Sequence, residues 1–338
     1  MNFKKIAWVI CVSFCLLSTS FLVQMEAGVK ASSDNVEGWA AILDMNNFPE
    51  GWSSLPMDFI NSEMVSQVLV DLGWQSDHIY VKHDNLTLYC VEEAVEWLVN
   101  NADSNDIALF YISTHGGWMR REILWNDWFP SEWQKLDTSE RILMIDTCSA
   151  GEFTEPVKYD PKPHISLGHC SAGEVAWAGV EEEGLPIIGG VWTYYFVNAL
   201  CNSTADSDEN GFVSAEEAFD FSTPLVQRYM NETVFAVPQF LEMYHNISIY
   251  PEEYDAYPHP VMDDQYPGQL YLDLSYYGLM SDLNNDGTVN ILDVSIVALA
   301  FGSTPEDPNW NIIADLNNDQ IINILDISTV AKEFGKIV

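Results

Sequence analysis

The sequence predicts an α/β fold, a mostly parallel sheet flanked by helices, with a small all-α domain after it. Three patterns carry this expectation. Two stretches, IALFYISTHGG (107–117) and RILMIDTCSAG (141–151), each open on a run of apolar, β-prone residues and stop abruptly at small and polar ones. Such runs suit strands buried on both faces of a parallel sheet. Segments of this kind alternate with segments whose apolar residues recur at helical spacing, the order expected of βαβ units. Near the end, DLNNDGTVNILDVSIVALAFG (282–302) and DLNNDQIINILDISTVAKEFG (315–335) align with 14 identities in 21 positions, an internal repeat of loop plus amphipathic helix.

In chain order, residues 1–31 carry a secretory pattern. Lys4 and Lys5 precede an apolar core over Ile6–Val23, and Val29-Lys30-Ala31 offers a small-residue cleavage site. The core is also long enough for an uncleaved anchor. Trp39–Met45 is a first strand. Met57–Leu72 places Phe59, Ile60, Met64, Val65, Val68, Leu69 and Leu72 on one helical face, closed by Gly73. His78–Val81 is a short strand, and Leu88–Asn101 repeats the helical pattern through Val91, Ala94, Val95, Leu98 and Val99. A Trp-rich insert (Trp118, Trp125, Trp128, Trp133) separates the two central strands, its rings assigned to packing. Glu152–Lys162 reads as a polar loop, His164–Ser171 as a further strand and Gly190–Leu200 as the opening of a helix. Leu270–Leu274 is expected as a last strand, so that 38–274 forms the first domain, 275–280 a connection and 281–338 the second domain.

Composition bounds the function. With 48% hydrophobic and 19% charged residues the chain is globular. Its 13 Lys+Arg against 51 Asp+Glu give a net charge of −38. Nucleic acid is excluded as a partner, since phosphate contacts need a basic face. Such acidity fits cation-binding loops, solubility in a salty medium, or both. Beyond the signal segment the cysteines are Cys90, Cys148, Cys170 and Cys201. If Cys148 stays reduced, at most one disulfide remains, so this is no disulfide scaffold. Sequons at Asn85, Asn202, Asn231 and Asn246 are compatible with an extracytoplasmic location.

Parallel sheets gather reactive groups at the carboxyl ends of their strands. His115 and Cys148 both fall there, and neighbouring strands would bring imidazole and thiol within reach, as an activated nucleophile requires. The two blocks, a strand ending in His115-Gly116 and a strand ending in Asp146-Thr147-Cys148, resemble those of the caspase–legumain clan of cysteine peptidases. The segment GVWTYYFVNAL (190–200) resembles the Gly-x-Phe-Thr-Tyr stretch of its archaeal and bacterial members. The caspase signature has Gln-Ala-Cys where this chain has Asp-Thr-Cys, which argues against cleavage after Asp. The resemblance implies a caspase-like fold over 38–274 and a cysteine endopeptidase acting on peptide or protein substrates.

In that reading Cys148 is the nucleophile and His115 takes its proton and later protonates the leaving amine. The N–H groups of Gly116 and Cys148 face the oxyanion, and no third catalytic residue is assigned. Asp146, two residues before Cys148, points to the same side of the strand. In clan members an acid there lines the pocket for the residue before the scissile bond. Basic residues are expected, with Asn, as in legumain-like members, the alternative. Clan members are often cut after the nucleophile, so self-cleavage is expected at Lys158 or Lys162.

DSDENGFVSAEE (206–217) fits the EF-hand loop, with Asp206, Asp208 and Asn210 at positions one, three and five, Gly211 at the turn, the carbonyl of Phe212, and Glu217 as the closing ligand. In the C-terminal repeat the corresponding ligands are Asp282, Asn284, Asp286, Thr288, Asn290 and Asp293, with Gly287 at the turn. In the second unit they are Asp315, Asn317, Asp319, Ile321, Asn323 and Asp326, with Gln320 where glycine is expected. These units resemble the duplicated segments of a type I dockerin. That resemblance implies a cofactor, Ca²⁺, needed to fold so small a module, and a partner, a cohesin, met in two orientations related by a pseudo-twofold. The whole reads as a secreted or cell-surface-associated, calcium-dependent cysteine endopeptidase. Its rivals are an inactive assembly or adhesion module and, last, a glycan-processing enzyme, since dockerins accompany those.

Overall fold

The computed structural model describes residues 36–55, 57–138, 140–179, 184–247, 258–279, 281–284, 288–317 and 319–336. The secretory pattern, and Asp286 and Gly287 of the first repeat, lie outside them. The apolar runs form strands β1 (Gly38–Asp44), β2 (Ile79–His83), β3 (Ile107–Ser113), β4 (Glu140–Asp146) and β5 (Ile165–Gly168). Two short strands, β6 (Ala178–Gly179) and β7 (Gly189–Gly190), pair with each other, and β8 (Val261–Asp264) closes the set. The six-stranded sheet runs β2-β1-β3-β4-β5-β8, parallel through β5, with β8 antiparallel at the edge.

Helices α1 (Ile60–Asp71), α2 (Leu88–Asn101), α3 (Trp125–Trp133), α4 (Ala150–Thr154), α5 (Val191–Leu200) and α6 (Ala215–Tyr229) cover both faces. Side-chain alternation divides the core in two. Ala40, Ile42, Leu109, Tyr111, Ile142 and Met144 pack against α1, α5 and α6 through Val65, Leu69, Trp192, Phe196 and Ala218. Ala41, Leu43, Phe110, Ile112, Leu143 and Ile145 pack against α2, α3 and α4 through Val91, Leu98, Trp125, Phe129 and Phe153. The Trp-rich insert is thus core: Trp125 and Trp133 are fully buried.

Three expectations are corrected. Leu270–Leu274 is not a sheet strand; Tyr271 makes an isolated bridge to Ser214, and the Ala215 N–H donates to the Leu270 carbonyl at 2.8 Å. After α7 (Pro238–Ile247), the chain over the expected connection forms α8 (Leu274–Leu279), whose Leu274 and Tyr277 pack on the core. The polar stretch Glu152–Lys162 is folded rather than open. Phe153 and Val157 are fully buried, Val157–Tyr159 is a 3₁₀ turn, and Asp160 forms a buried ion pair with Arg141 at 2.8 Å. Lys158 thus lies in a 3₁₀ turn and Lys162 in a bend beyond it, so self-cleavage at either would need this stretch to open first.

The C-terminal repeat forms α9 (Ile291–Ala300) and α10 (Ile324–Glu333), each opened by a capping box, Asn290/Asp293 and Asn323/Asp326. Its core is small: Val289, Val297, Ala300, Ala314, Leu316, Ile322 and Val330. The halves lock by matching bonds, Gly302 N–H to the Ile322 carbonyl and Gly335 N–H to the Val289 carbonyl, both 2.7 Å. Among the described residues no helix is long and apolar enough to cross a membrane.

Arg141 also donates to the carbonyls of Trp133 and Lys162, at 3.2 and 2.8 Å. Replacing Asp160 by Ala leaves that guanidinium buried without its counter-charge, so a loss of about 3–5 kcal/mol in unfolding free energy is expected by denaturant titration.

Candidate active site

Strands β3 and β4 pair in parallel with Ser113 opposite Asp146, and the Thr114 N–H donates to the Asp146 carbonyl at 3.4 Å. His115 and Cys148 therefore leave adjacent strands two residues beyond the same level. The chain beyond β3 packs directly on the thiol's residue. A methyl placed on Gly116 would lie 2.1 Å from the Cys148 carbonyl oxygen and 3.5 Å from its Cβ, so no larger residue fits. After Cys148 the backbone turns sharply at Ser149, which holds the left-handed conformation (φ 57°) and donates its N–H to the Glu174 carbonyl at 2.8 Å. A non-glycine residue in that region stores strain, and it sits directly after the thiol.

The imidazole is held by the loop after β1. Its Nε2 lies 2.8 Å from the Ser53 carbonyl oxygen, and the ring lies 4.6 Å from Phe48 and 6.0 Å from Trp52, centroid to centroid. A carbonyl only accepts, so the Nε2 atom carries the hydrogen and Nδ1 is left as the basic nitrogen. No sequence signal marks Ser53, because its contribution is a backbone oxygen.

Cys148 is half-buried, and burial pushes its thiol up from the usual range. The Asp146 charge adds to that rise, while the Ala176 N–H aimed at the sulfur and the Arg120 guanidinium oppose it. Arg120 is held by Glu152, Nε to Oε1 at 2.8 Å. The sequence reading passed over both Ala176 and Arg120.

Asp146 is buried among hydrogen-bond donors. His169 Nδ1 lies 2.6 Å from its Oδ1, the Thr193 hydroxyl donates to Oδ2, and the Tyr111 hydroxyl stands 3.5 Å from Oδ2 and 3.0 Å from Thr193. A methyl at Gly190 would lie 2.0 Å from Oδ2. Asn61 of α1 ties the neighbouring backbone together, donating to Ser113 Oγ at 2.9 Å and accepting from the Gly190 N–H at 2.8 Å.

Among the described residues, Asp206, Asp208 and Glu217 bring three carboxylate oxygens within 4.8 Å of one another. Gly211 takes φ 94°, and its N–H donates to Asp206 at 2.9 Å. Asn210 reaches the Tyr271 hydroxyl at 2.7 Å and accepts from the Phe212 N–H at 2.8 Å. Glu217 closes the loop by accepting from the Ser207 and Ser214 N–H groups, at 2.8 and 3.0 Å. This acidic donor set, with its turn glycine, fits a calcium ion.

The second repeat unit has the same bonding. Gln320 adopts φ 63°, the left-handed conformation that glycine has at 211, and donates to Asp315 at 2.9 Å. Asp326 accepts from the Leu316 and Asn323 N–H groups at 2.8 and 2.7 Å, and Asp319 from Ile321 at 2.9 Å. Asn317 donates to Asp319 at 3.1 Å. In the first unit Asp293 accepts from the Asn284 and Asn290 N–H groups at 3.2 and 2.7 Å, and Asp282 is buried. The Asn290 amide donates to the Thr288 carbonyl at 2.8 Å.

Fold and site together define a class: parallel α/β proteins that present a thiol and an imidazole at the carboxyl ends of two adjacent central strands. The chain belongs to the caspase domain family, whose model matches residues 37–234. The type I dockerin domain model matches residues 280–335. Among solved structures, the chain is similar to the crystal structure of caspase-1 from Spodoptera frugiperda, at 15% identity and a TM-score of 0.48 over 71% of this chain and 92% of that one. A search of curated proteins finds no match.

Burial holds the Cys148 thiol up and the Asp146 charge adds to it, so Asp146→Asn should move the pH midpoint of Cys148 alkylation by iodoacetamide downward. Peptide mapping separates Cys148 from Cys90, Cys170 and Cys201; an upward or absent shift contradicts the coupling.

Proposed function

We propose that this chain is a secreted cysteine endopeptidase that cleaves after basic residues and is tethered through its dockerin to a cohesin, with calcium held in the dockerin loops and in the 206–217 loop. The observation that carries the peptidase reading is the contact of Gly116 with Cys148, which fixes the His115 block against the nucleophile. Since burial and Asp146 favour the neutral thiol, proton transfer accompanies attack. The Cys148 proton passes to His115 Nδ1 as the sulfur bonds to the scissile carbonyl carbon. The tetrahedral oxyanion is met by the Gly116 and Cys148 N–H groups. Collapse breaks the C–N bond, the amine leaves with the proton from His115, and water repeats the sequence on the thioester. The Ser53 carbonyl stabilises the imidazolium that forms between these steps.

Asp146 supports selection of basic residues, because a buried anion two residues from the nucleophile attracts a cationic side chain. Asp206, Asp208, Asn210, Phe212 and Glu217 would hold one calcium ion, which neutralises their mutual repulsion and joins α5 to α6. In the dockerin the ligands would be Asp282, Asn284, Asp286, Thr288, Asn290 and Asp293, then Asp315, Asn317, Asp319, Ile321, Asn323 and Asp326. The boundaries proposed are 38–274 for the peptidase domain and 281–338 for the dockerin.

Cys148→Ala and His115→Ala should each lower hydrolysis of peptides bearing Arg, Lys or Asn before the bond by at least about 10⁴-fold. Activity retained in Cys148→Ala removes Cys148 as the nucleophile, a wild type that hydrolyses none of these peptides favours the inactive-module rival, and cleavage confined to Asn transfers the pocket to the legumain-like alternative. Chelation of calcium from the full chain should raise hydrogen exchange throughout 288–336, because so small a core depends on its metals. Exchange indifferent to chelator would remove the calcium-dependent dockerin.

A further inference from the structure

We propose that His169 is a positioning residue for substrate selection, setting the direction and charge of the Asp146 carboxylate; this rests on the assignment of Asp146 to the substrate pocket. His169 is completely buried just beyond β5, and its two ring nitrogens have different partners. Nδ1 lies 2.6 Å from Asp146 Oδ1, and the Trp177 N–H donates to Nε2 at 3.5 Å. A backbone N–H only donates, so Nε2 carries a lone pair, and the single ring proton sits on Nδ1, aimed at Asp146. His169 is thereby a neutral donor, which leaves the Asp146 charge uncancelled.

The other donors around the carboxylate carry no charge either. Thr193 anchors the second carboxylate oxygen, and the donors facing Asp146 are the uncharged side chains of His169, Thr193 and Tyr111. Each carboxylate oxygen has two lone pairs, so an incoming guanidinium or ammonium still finds an acceptor after these bonds are made. Gly190 packs its backbone against Oδ2, which Thr193 and Tyr111 already engage, so the lone pair left for a substrate is on Oδ1, beside His169. His169 also joins the Asp146 wall to Trp177, the residue after Ala176, whose N–H faces the Cys148 sulfur. One imidazole thus spans the two segments that flank the nucleophile.

The test compares the full-length protein with His169→Asn and His169→Gln on peptides carrying Arg or its uncharged isostere citrulline before the scissile bond. Asn places an amide donor where Nδ1 stands, and Gln places its amide where Nε2 stands. The Asn form should keep the wild-type preference for Arg over citrulline within about threefold, and the Gln form should lose at least about tenfold of it, through KM for the Arg peptide rather than kcat. His169→Leu, which withdraws both contacts and adds no buried polar group, is the second variant and should show the same loss if the Gln form fails to fold.

Equal preference in wild type and in the folded Gln or Leu form overturns the proposal. So does a fall in kcat shared by both peptides with the preference intact, which would make His169 a strut for 175–178 only. An active wild type without preference for Arg over citrulline overturns it too, while leaving the peptidase standing. A wild type that cleaves nothing overturns the peptidase and this proposal together.

Discussion

Pairing β3 with β4 in parallel, with Ser113 opposite Asp146, makes two buried strands end at one level, so the residues that follow each must share the same small volume. The placement of His115, Gly116, Asp146 and Cys148 follows from this register. A slip of one residue would send Asp146 to the α2–α4 face and take Gly116 off Cys148. The register is held by apolar residues on both faces, since every residue of β3 is buried. The geometry of the candidate site and the packing of the core are here the same constraint.

The carboxyl ends of the strands carry a buried polar layer rather than a dry one. Asp44, Asn61, Ser113, Asp146, His169 and Thr193 lie within it, and each finds a partner there. Asp44 accepts from the Ser62 N–H and the Asn46 amide, yet burial still raises its pKa to about 6. Such a layer is costly unless fully bonded, and fully bonded it fixes one arrangement of α1, α5 and the strand ends. The peptide-binding surface would be built on that rigid layer.

Much of this was legible in the sequence where chemistry resides in side chains at a fixed spacing. The β3 and β4 runs announce themselves because strands buried on two faces are apolar throughout, and the repeat announces the C-terminal domain through its own duplication. Gln320, standing where the loop expects glycine, could be read in advance as a strained turn or a left-handed glutamine, and it is the left-handed one. What escaped had no such signature. Ser53 acts through a carbonyl, Ala176 through an N–H, and β8, four residues at a sheet edge, is too short to show a pattern. His169 reads as an ordinary strand-end residue until β5 places it beside Asp146. Glu152–Lys162 looked open because its buried members, Phe153, Val157 and Asp160, are scattered among exposed ones.

Gly116 and Gly190 each stand where a single added methyl would run into the site, one against Cys148 and the other against Asp146. Neither takes a left-handed backbone, so what bars other residues is space alone. At these two positions a larger side chain fits only if Cys148 or Asp146 moves, so change beside the thiol falls to Asp146 and the buried donors around it. Change there is thereby channelled through an interior network, where a successful substitution must satisfy every bond it disturbs at once.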